Sequence, residues 1–114
     1  MAPEQRMLNM LGLARRAGQV VSGEFSTEKA VKTGKARLVI VASDASDNTK
    51  KMFRDMCSWY RVPIAVGADK ERLGHAIGQQ MRASLAVTDD NFARTMKQMI
   101  GENEYGGSEN GGTE

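Results

Sequence analysis

The spacing of apolar and polar residues predicts helices that alternate with short strands. In residues 4–16, the apolar positions Met7, Leu8, Leu11 and Ala14 follow helical spacing. Further helices are predicted at residues 24–33, between residues 43 and 61, at residues 69–77 and at residues 88–100, and short strands at residues 19–22, 37–42, 62–66 and 85–87. Because helices alternate with apolar strands, we predict an α/β fold, a three-layer α/β/α sandwich.

The residue types around two of these helices give more detail. In the third predicted helix the apolar face is made by Met52, Phe53, Met56, Cys57 and Tyr60. For the last helix we expect Thr88 to be the N-cap, with Asp89 and Asp90 in the first turn. Capping accounts for such acidic pairs, so we predict no metal site.

Charge divides the chain into two parts. The net charge is +2, yet residues 101–114 carry four glutamates and no Lys or Arg, so residues 1–100 hold all 16 basic residues against 10 acidic ones. We therefore predict one basic domain at residues 1–100 and a disordered, Gly-rich acidic tail at residues 101–114. A basic domain of this kind attracts phosphate backbones.

Several classes of protein are disfavoured by what the sequence lacks. No apolar run approaches the roughly 18 to 20 residues of a membrane-spanning helix, and residues 1–6 lack the apolar core of a signal peptide, so we expect a cytoplasmic protein without membrane contact. Neither a Walker loop around Gly34-Lys35 nor a dinucleotide-binding glycine motif is present. Nucleotide hydrolysis is therefore disfavoured, and we predict no cofactor. A small α/β hydrolase using Cys57 and His75 remains as an alternative, because sequence cannot exclude their adjacency.

The stretch from Arg15 to Arg37 is the candidate binding region. Gly23 is expected to let another backbone approach closely, and the helix after it presents its first amides to a ligand that Lys29 can reach. Positive charge is extended by Lys32, Lys35 and Arg37, and by Arg15 and Arg16 if the first helix packs alongside. For Lys32 and Lys35, an ordinary solvated face is the alternative interpretation.

An ordered set of short segments resembles a known family. The segments are Gly23 with Lys29-Ala30, residues 34–44, residues 57–63, residues 73–78 and residues 84–87. Over residues 6–100 the chain is similar to the L7Ae/L30e superfamily of ribosomal proteins, and most similar to its small bacterial YlxQ-type branch. The resemblance implies a mixed, mainly four-stranded sheet and a non-enzymatic protein that binds kink-turn RNA.

The resemblance also implies where the RNA lies. The start of the second helix would enter the widened groove at the sheared G·A pairs, and the loop before the last strand would contact the extruded nucleotide. In this chain those regions are residues 22–29 and 81–84. The implied RNA-binding residues are Gly23, Glu24, Phe25, Ser26, Lys29, Lys32, Lys35, Arg37, Arg82, Ala83 and Ser84.

Two positions depart from the family pattern. Phe25 and Ser26 stand where the typical archaeal sequence has Asn and Glu, whose side chains hydrogen-bond base edges. Phe25 can only pack or stack, so we expect base reading to be weaker or different. The expected partner is structured RNA, with the ribosome as a further candidate, and the protein is expected to be monomeric. A protein-interaction module of the same fold is the other alternative.

Overall fold

The computed structural model of the protein describes residues 3–101. In chain order, the elements are α1 (Pro3–Arg16), β1 (Val20–Ser22), α2 (Glu24–Lys32), β2 (Leu38–Val41), α3 (Asp47–Tyr60), β3 (Ile64–Val66), α4 (Lys70–Ala76), β4 (Ser84–Val87) and α5 (Asp90–Gly101). All nine predicted elements are present. Gly101, the first residue of the predicted tail, is the last residue of α5, and residues 102–114 lie outside the described residues.

The four strands form one mixed sheet in the order β1-β4-β2-β3. β4 is antiparallel to both neighbours, with Ser22 opposite Leu85 and Val41 opposite Ser84, whereas β2 and β3 are parallel. α2 and α3 cover one face, and α1, α4 and α5 cover the other. The predicted three-layer α/β/α sandwich is therefore confirmed. Within residues 3–101, none of the helices has the length and apolar content needed to cross a bilayer.

The core lies between the sheet and the two helical layers. Every residue of the central strands β2 and β4 is buried, as their continuous apolar runs predict. Phe53 and Cys57 bring α3 into this core, but Tyr60, also predicted to face it, is 42% exposed. Tyr60 lies in the last turn of α3, where Arg61 ends the helix at a left-handed φ of 61° and turns the chain. The ring is therefore only partly covered by the rest of the protein.

Side-chain caps fix where three of the helices begin. Ser46 and Asp69 accept hydrogen bonds from backbone amides in the first turns of α3 and α4. The prediction that Thr88 caps α5 is wrong, because the Asp89 carboxylate accepts from the Phe92 amide at 3.0 Å. Thr88 instead donates its hydroxyl to Gln19 Oε1 and its backbone N–H to the Gln19 carbonyl, which ties the end of β4 to the start of β1.

The directions of the strands sort the loops into two opposite ends of the sheet. We call one the Gly23 end; it comprises residues 22–26, 42–44, 67–70 and 79–84. We call the other the Gly34 end; it comprises residues 17–19, 33–37, 59–63 and 88–90. α2 begins at the Gly23 end and finishes at the Gly34 end. Its first and last residues therefore lie about 13 Å apart along the helix axis.

Candidate functional site

Gly23 holds a backbone conformation that only glycine adopts readily. Its φ is 93° and its ψ is 158°, in a region almost closed to residues with a Cβ. Its N–H donates to the Ser84 carbonyl at 2.9 Å, and its carbonyl accepts from the Thr27 N–H. A Cβ built on Gly23 would meet nothing within 4 Å. Within residues 3–101 no other backbone packs against this position, so what the fold itself requires of Gly23 is its dihedral angles.

The first turn of α2 presents free amides and an exposed ring. No side chain caps this helix, so in the described structure the amides of Glu24, Phe25 and Ser26 keep unused hydrogen-bonding capacity. Phe25 is 78% exposed. Lys29 lies four residues further on, on the same side of the helix, and has no ion pair within residues 3–101. Lys29 belongs to the last turn of α2, and helical side chains point back toward the N-terminus, so its long side chain can reach a ligand that contacts the amides and the ring.

The loop at residues 78–83 is fastened beside this helix start by one arginine. The guanidinium of Arg82 donates through Nε to Ser22 Oγ at 3.1 Å, through Nη1 to the Met81 carbonyl at 3.0 Å and through Nη2 to Gln79 Oε1 at 3.1 Å. With the bond between Gly23 and Ser84, these contacts bring the two predicted segments, residues 22–29 and 81–84, onto one surface.

The exposure of the predicted residues in this loop differs from one to the next. Met81 is 60% exposed beside half-buried Arg82 and Ala83, whereas Ser84 is buried. The hydroxyls of Ser84 and Thr27 are both buried and lack a hydrogen-bond partner in the described structure. Ser84 therefore supports the site through its carbonyl bond to Gly23, and its side chain lies beneath the surface.

The remaining predicted cations lie toward or at the Gly34 end. Lys32 bonds Glu28 at 2.7 Å, and this hydrogen bond, followed by the carboxylate charge, raises the pKa of the Lys32 ammonium. Arg37 pairs with Asp90 at 3.0 Å and also donates to the Gly34 carbonyl. Lys35 is exposed in the turn between α2 and β2. These three side chains are thus separated from Gly23 by the length of α2.

Arg15 and Arg16 do not join the candidate site. They end α1, which lies on the face of the sheet opposite to α2 and meets the Gly34 end through Gln19. They were expected to contribute only if α1 packed alongside the binding region, and α1 does not. Arg15 and Arg16 therefore do not extend the region around Gly23, because they lie at the Gly34 end and on the other face of the sheet from α2.

Three residues that support the loop at the Gly23 end were not predicted as part of the site. The Lys70 carbonyl accepts from the Arg82 amide, Gln79 holds the Arg82 guanidinium, and a Cβ on Gly74 would lie 1.5 Å from the Gln80 carbonyl oxygen. A glycine inside a predicted helix is a sequence signal for such close packing. Lys70 and Gln79 give no comparable signal, since their roles depend on how the loop folds back.

The two candidate catalytic residues of the hydrolase alternative are not arranged for catalysis. Cys57 lies on the buried face of α3, and burial raises the pKa of its thiol to about 12. His75 is exposed on α4, on the opposite face of the sheet. A nucleophilic cysteine needs a lowered pKa and a nearby base. Cys57 is therefore a core residue, as its apolar neighbours predict.

Comparison with known proteins assigns this fold to a family. The model of the ribosomal protein L7Ae/L30e/S12e/Gadd45 family matches residues 5–97. The RNA-binding protein YlxQ of Bacillus subtilis is 41% identical over 91 residues, which are 80% of this chain and 91% of that protein. The RNA-binding protein YlxQ of Enterococcus faecium is 38% identical over 96 residues, 84% of this chain and 92% of its own length.

Solved structures share the same fold. A Bacillus halodurans protein described as having unknown function superimposes with a TM-score of 0.81 at 41% identity, covering 83% of this chain and 96% of its own. The 15.5 kD RNA-binding protein of Giardia lamblia superimposes with a TM-score of 0.75 at 24% identity, covering 90% of this chain and 88% of its own. At that identity the second likeness bears on the fold alone.

Proposed function

Since the chain belongs to the ribosomal protein L7Ae/L30e/S12e/Gadd45 family, we propose that it is a non-catalytic protein that binds structured, kink-turn-like RNA at its Gly23 end. The name RNA-binding protein carried by both YlxQ relatives supports this. The observation that carries it is the joined surface of residues 22–29 and 79–84, in which two loops far apart in sequence are tied by Gly23 and Arg82.

Each part of this surface suits one feature of a bent RNA. The free amides at the start of α2 and the positive end of its dipole favour a phosphate group. Lys29, which has no ion pair within residues 3–101, adds a cation one turn after Phe25. The exposed Phe25 and Met81 offer apolar surface to bases that have left the helical stack. In this proposal the protein recognises shape and unstacked bases more than base edges.

The proposal extends to the cellular setting. We propose a ribosomal or other structured RNA as the target, bound by a monomer in the cytoplasm in connection with translation, without a cofactor. The family name and the basic first 100 residues support this setting. Isolation of RNA crosslinked to the protein in cells, followed by sequencing, identifies the target. Recovery of a protein partner that persists after RNase treatment, with no enriched RNA, would favour the protein-interaction alternative.

Lys29 and Lys35 provide a matched test of the site. Both are exposed lysines without an ion pair within residues 3–101, but Lys29 lies within α2, one turn after Phe25, whereas Lys35 lies beyond the end of the helix. Lys29→Ala should weaken binding of a blunt-ended kink-turn RNA by about 1 to 3 kcal/mol, whereas Lys35→Ala should change the affinity by less than about 0.5 kcal/mol. Equal losses for the two variants, or equal affinity for a straight duplex, would contradict the proposal.

A further inference from the structure

An aromatic patch at the Gly34 end takes no part in the proposed kink-turn surface. Trp59 is 80% exposed and Tyr60 is 42% exposed in the last turn of α3. Among the described residues, they are the only large exposed hydrophobic side chains on this helix. An indole this exposed contributes little burial to the fold, so its ring is available to a ligand.

The groups around these rings carry net positive charge. Arg61 lines the same shallow depression as Trp59, together with Asp55 and Ser58. The Asp55 carboxylate is paired with Lys51 at 2.7 Å, whereas Arg61 has no ion pair within residues 3–101. Its charge is therefore available to an anionic partner.

The end of α2 adds further cations to this region. α2 packs against α3, and both helices end at the Gly34 end, so Lys32 in the last turn of α2 lies on the side of α3 that carries Tyr60. The neighbouring carboxylate, Glu28, is itself paired with Lys32. Lys35, in the turn that follows α2, has no ion pair in the described structure. The patch thus combines flat exposed rings with unneutralised cations.

We propose that Trp59, Tyr60 and Arg61 form a second RNA-binding surface, specific for unpaired nucleotides. Bases stack on the two rings, and the phosphates between them contact Arg61 and Lys35, an arrangement typical of proteins that bind single strands. Single-stranded RNA fits this patch by charge, because Arg61 and Lys35 have no ion pair within residues 3–101 and a phosphate backbone supplies the opposite charge. The proposal rests on RNA as the ligand class, but it does not depend on the Gly23 end.

Trp59 is the only tryptophan in the chain, so its fluorescence reports on this patch alone. Addition of a short oligouridylate should quench the emission saturably, and added salt should weaken the effect. A blunt-ended kink-turn RNA should leave the emission unchanged even while it binds. Tyr60→Ala should raise the Kd for oligouridylate by about fivefold or more. Tyr60→Phe, which keeps the ring, should leave the Kd close to the wild-type value.

Variants at the two ends separate this surface from the kink-turn site. Lys29→Ala should leave quenching by oligouridylate unchanged, and Tyr60→Ala should leave kink-turn binding unchanged. Because these side chains are exposed, melting curves of the variants should match that of the wild type. Oligouridylate binding that leaves Trp59 emission unchanged would overturn the proposal. So would emission that responds only to protein concentration or to a protein partner, since the patch would then be a protein interface.

Discussion

The Gly23 end and the Gly34 end both carry basic residues, but they hold them in different ways. At the Gly23 end, the Arg82 guanidinium bonds Ser22, Met81 and Gln79, so the cation fixes the shape of two loops. At the Gly34 end, Arg37 is paired with Asp90 on the surface. The proposed site therefore rests on the loops that Arg82 holds together and not on the number of cations, which is similar at the two ends.

Gly74→Ala should have the largest effect on the Gly23 end. The new Cβ would lie 1.5 Å from the Gln80 carbonyl oxygen, so the loop carrying Met81 and Arg82 must move. We expect a loss of stability of about 1 to 3 kcal/mol, as for other overpacked sites, together with a large loss of kink-turn affinity.

Gly67→Ala is the control for this substitution, because a Cβ there meets nothing within 4 Å and no left-handed φ is involved. Thermal unfolding and RNA titration of the two variants provide the measurements. A Gly74→Ala protein with wild-type affinity would show that the loop does not form part of the site.

Gly23→Ala and Gly34→Ala compare the two ends at glycines that both have a positive φ. Both glycines have a left-handed φ, 93° and 78°, and neither would place a Cβ against another atom. Each substitution should lower the free energy of unfolding, measured with denaturant, by about 1 to 3 kcal/mol, and Gly23→Ala should have the larger effect because of its ψ of 158°. Only Gly23→Ala should also weaken kink-turn binding, because it disturbs the start of α2. Equal affinities for the two variants would remove the functional distinction between the ends.

Arg37→Ala should have the smallest effect. Its ion pair with Asp90 is largely exposed, and pairs of this kind contribute less than about 1 kcal/mol. We expect a small change in melting temperature and no measurable change in affinity for blunt-ended kink-turn RNA. A marked loss of affinity would place the Gly34 end inside the kink-turn interface.

Much of the fold could be predicted from local sequence. The continuous apolar runs of β2 and β4 predict buried strands, because a strand that is covered on both faces does not alternate apolar and polar residues. The helical spacing of apolar residues predicts where each helix begins and ends to within a few residues. Thr88 was assigned as the cap of α5 because the sequence does not show that its hydroxyl is needed at Gln19, 69 positions away.

The candidate site could be predicted only in part. Residues 22–29 and 81–84 were identified by family resemblance, but their union depends on the antiparallel pairing of Ser22 with Leu85, a contact between distant segments. The separation of Lys35 and Arg37 from Gly23 follows from the direction of α2 across the sheet. The pairing of Glu28 with Lys32 could have been predicted, since their spacing of four residues favours an ion pair.

The central claim is that kink-turn RNA binds the Gly23 end. Backbone amide chemical shifts, measured by NMR during titration with a blunt-ended kink-turn RNA, test it most directly. We predict that the largest changes fall at residues 23–29 and 79–84, with residues 35–37 and 59–61 nearly unchanged. Changes concentrated at residues 35–37 and 59–61, with residues 23–29 unaffected, would contradict the claim.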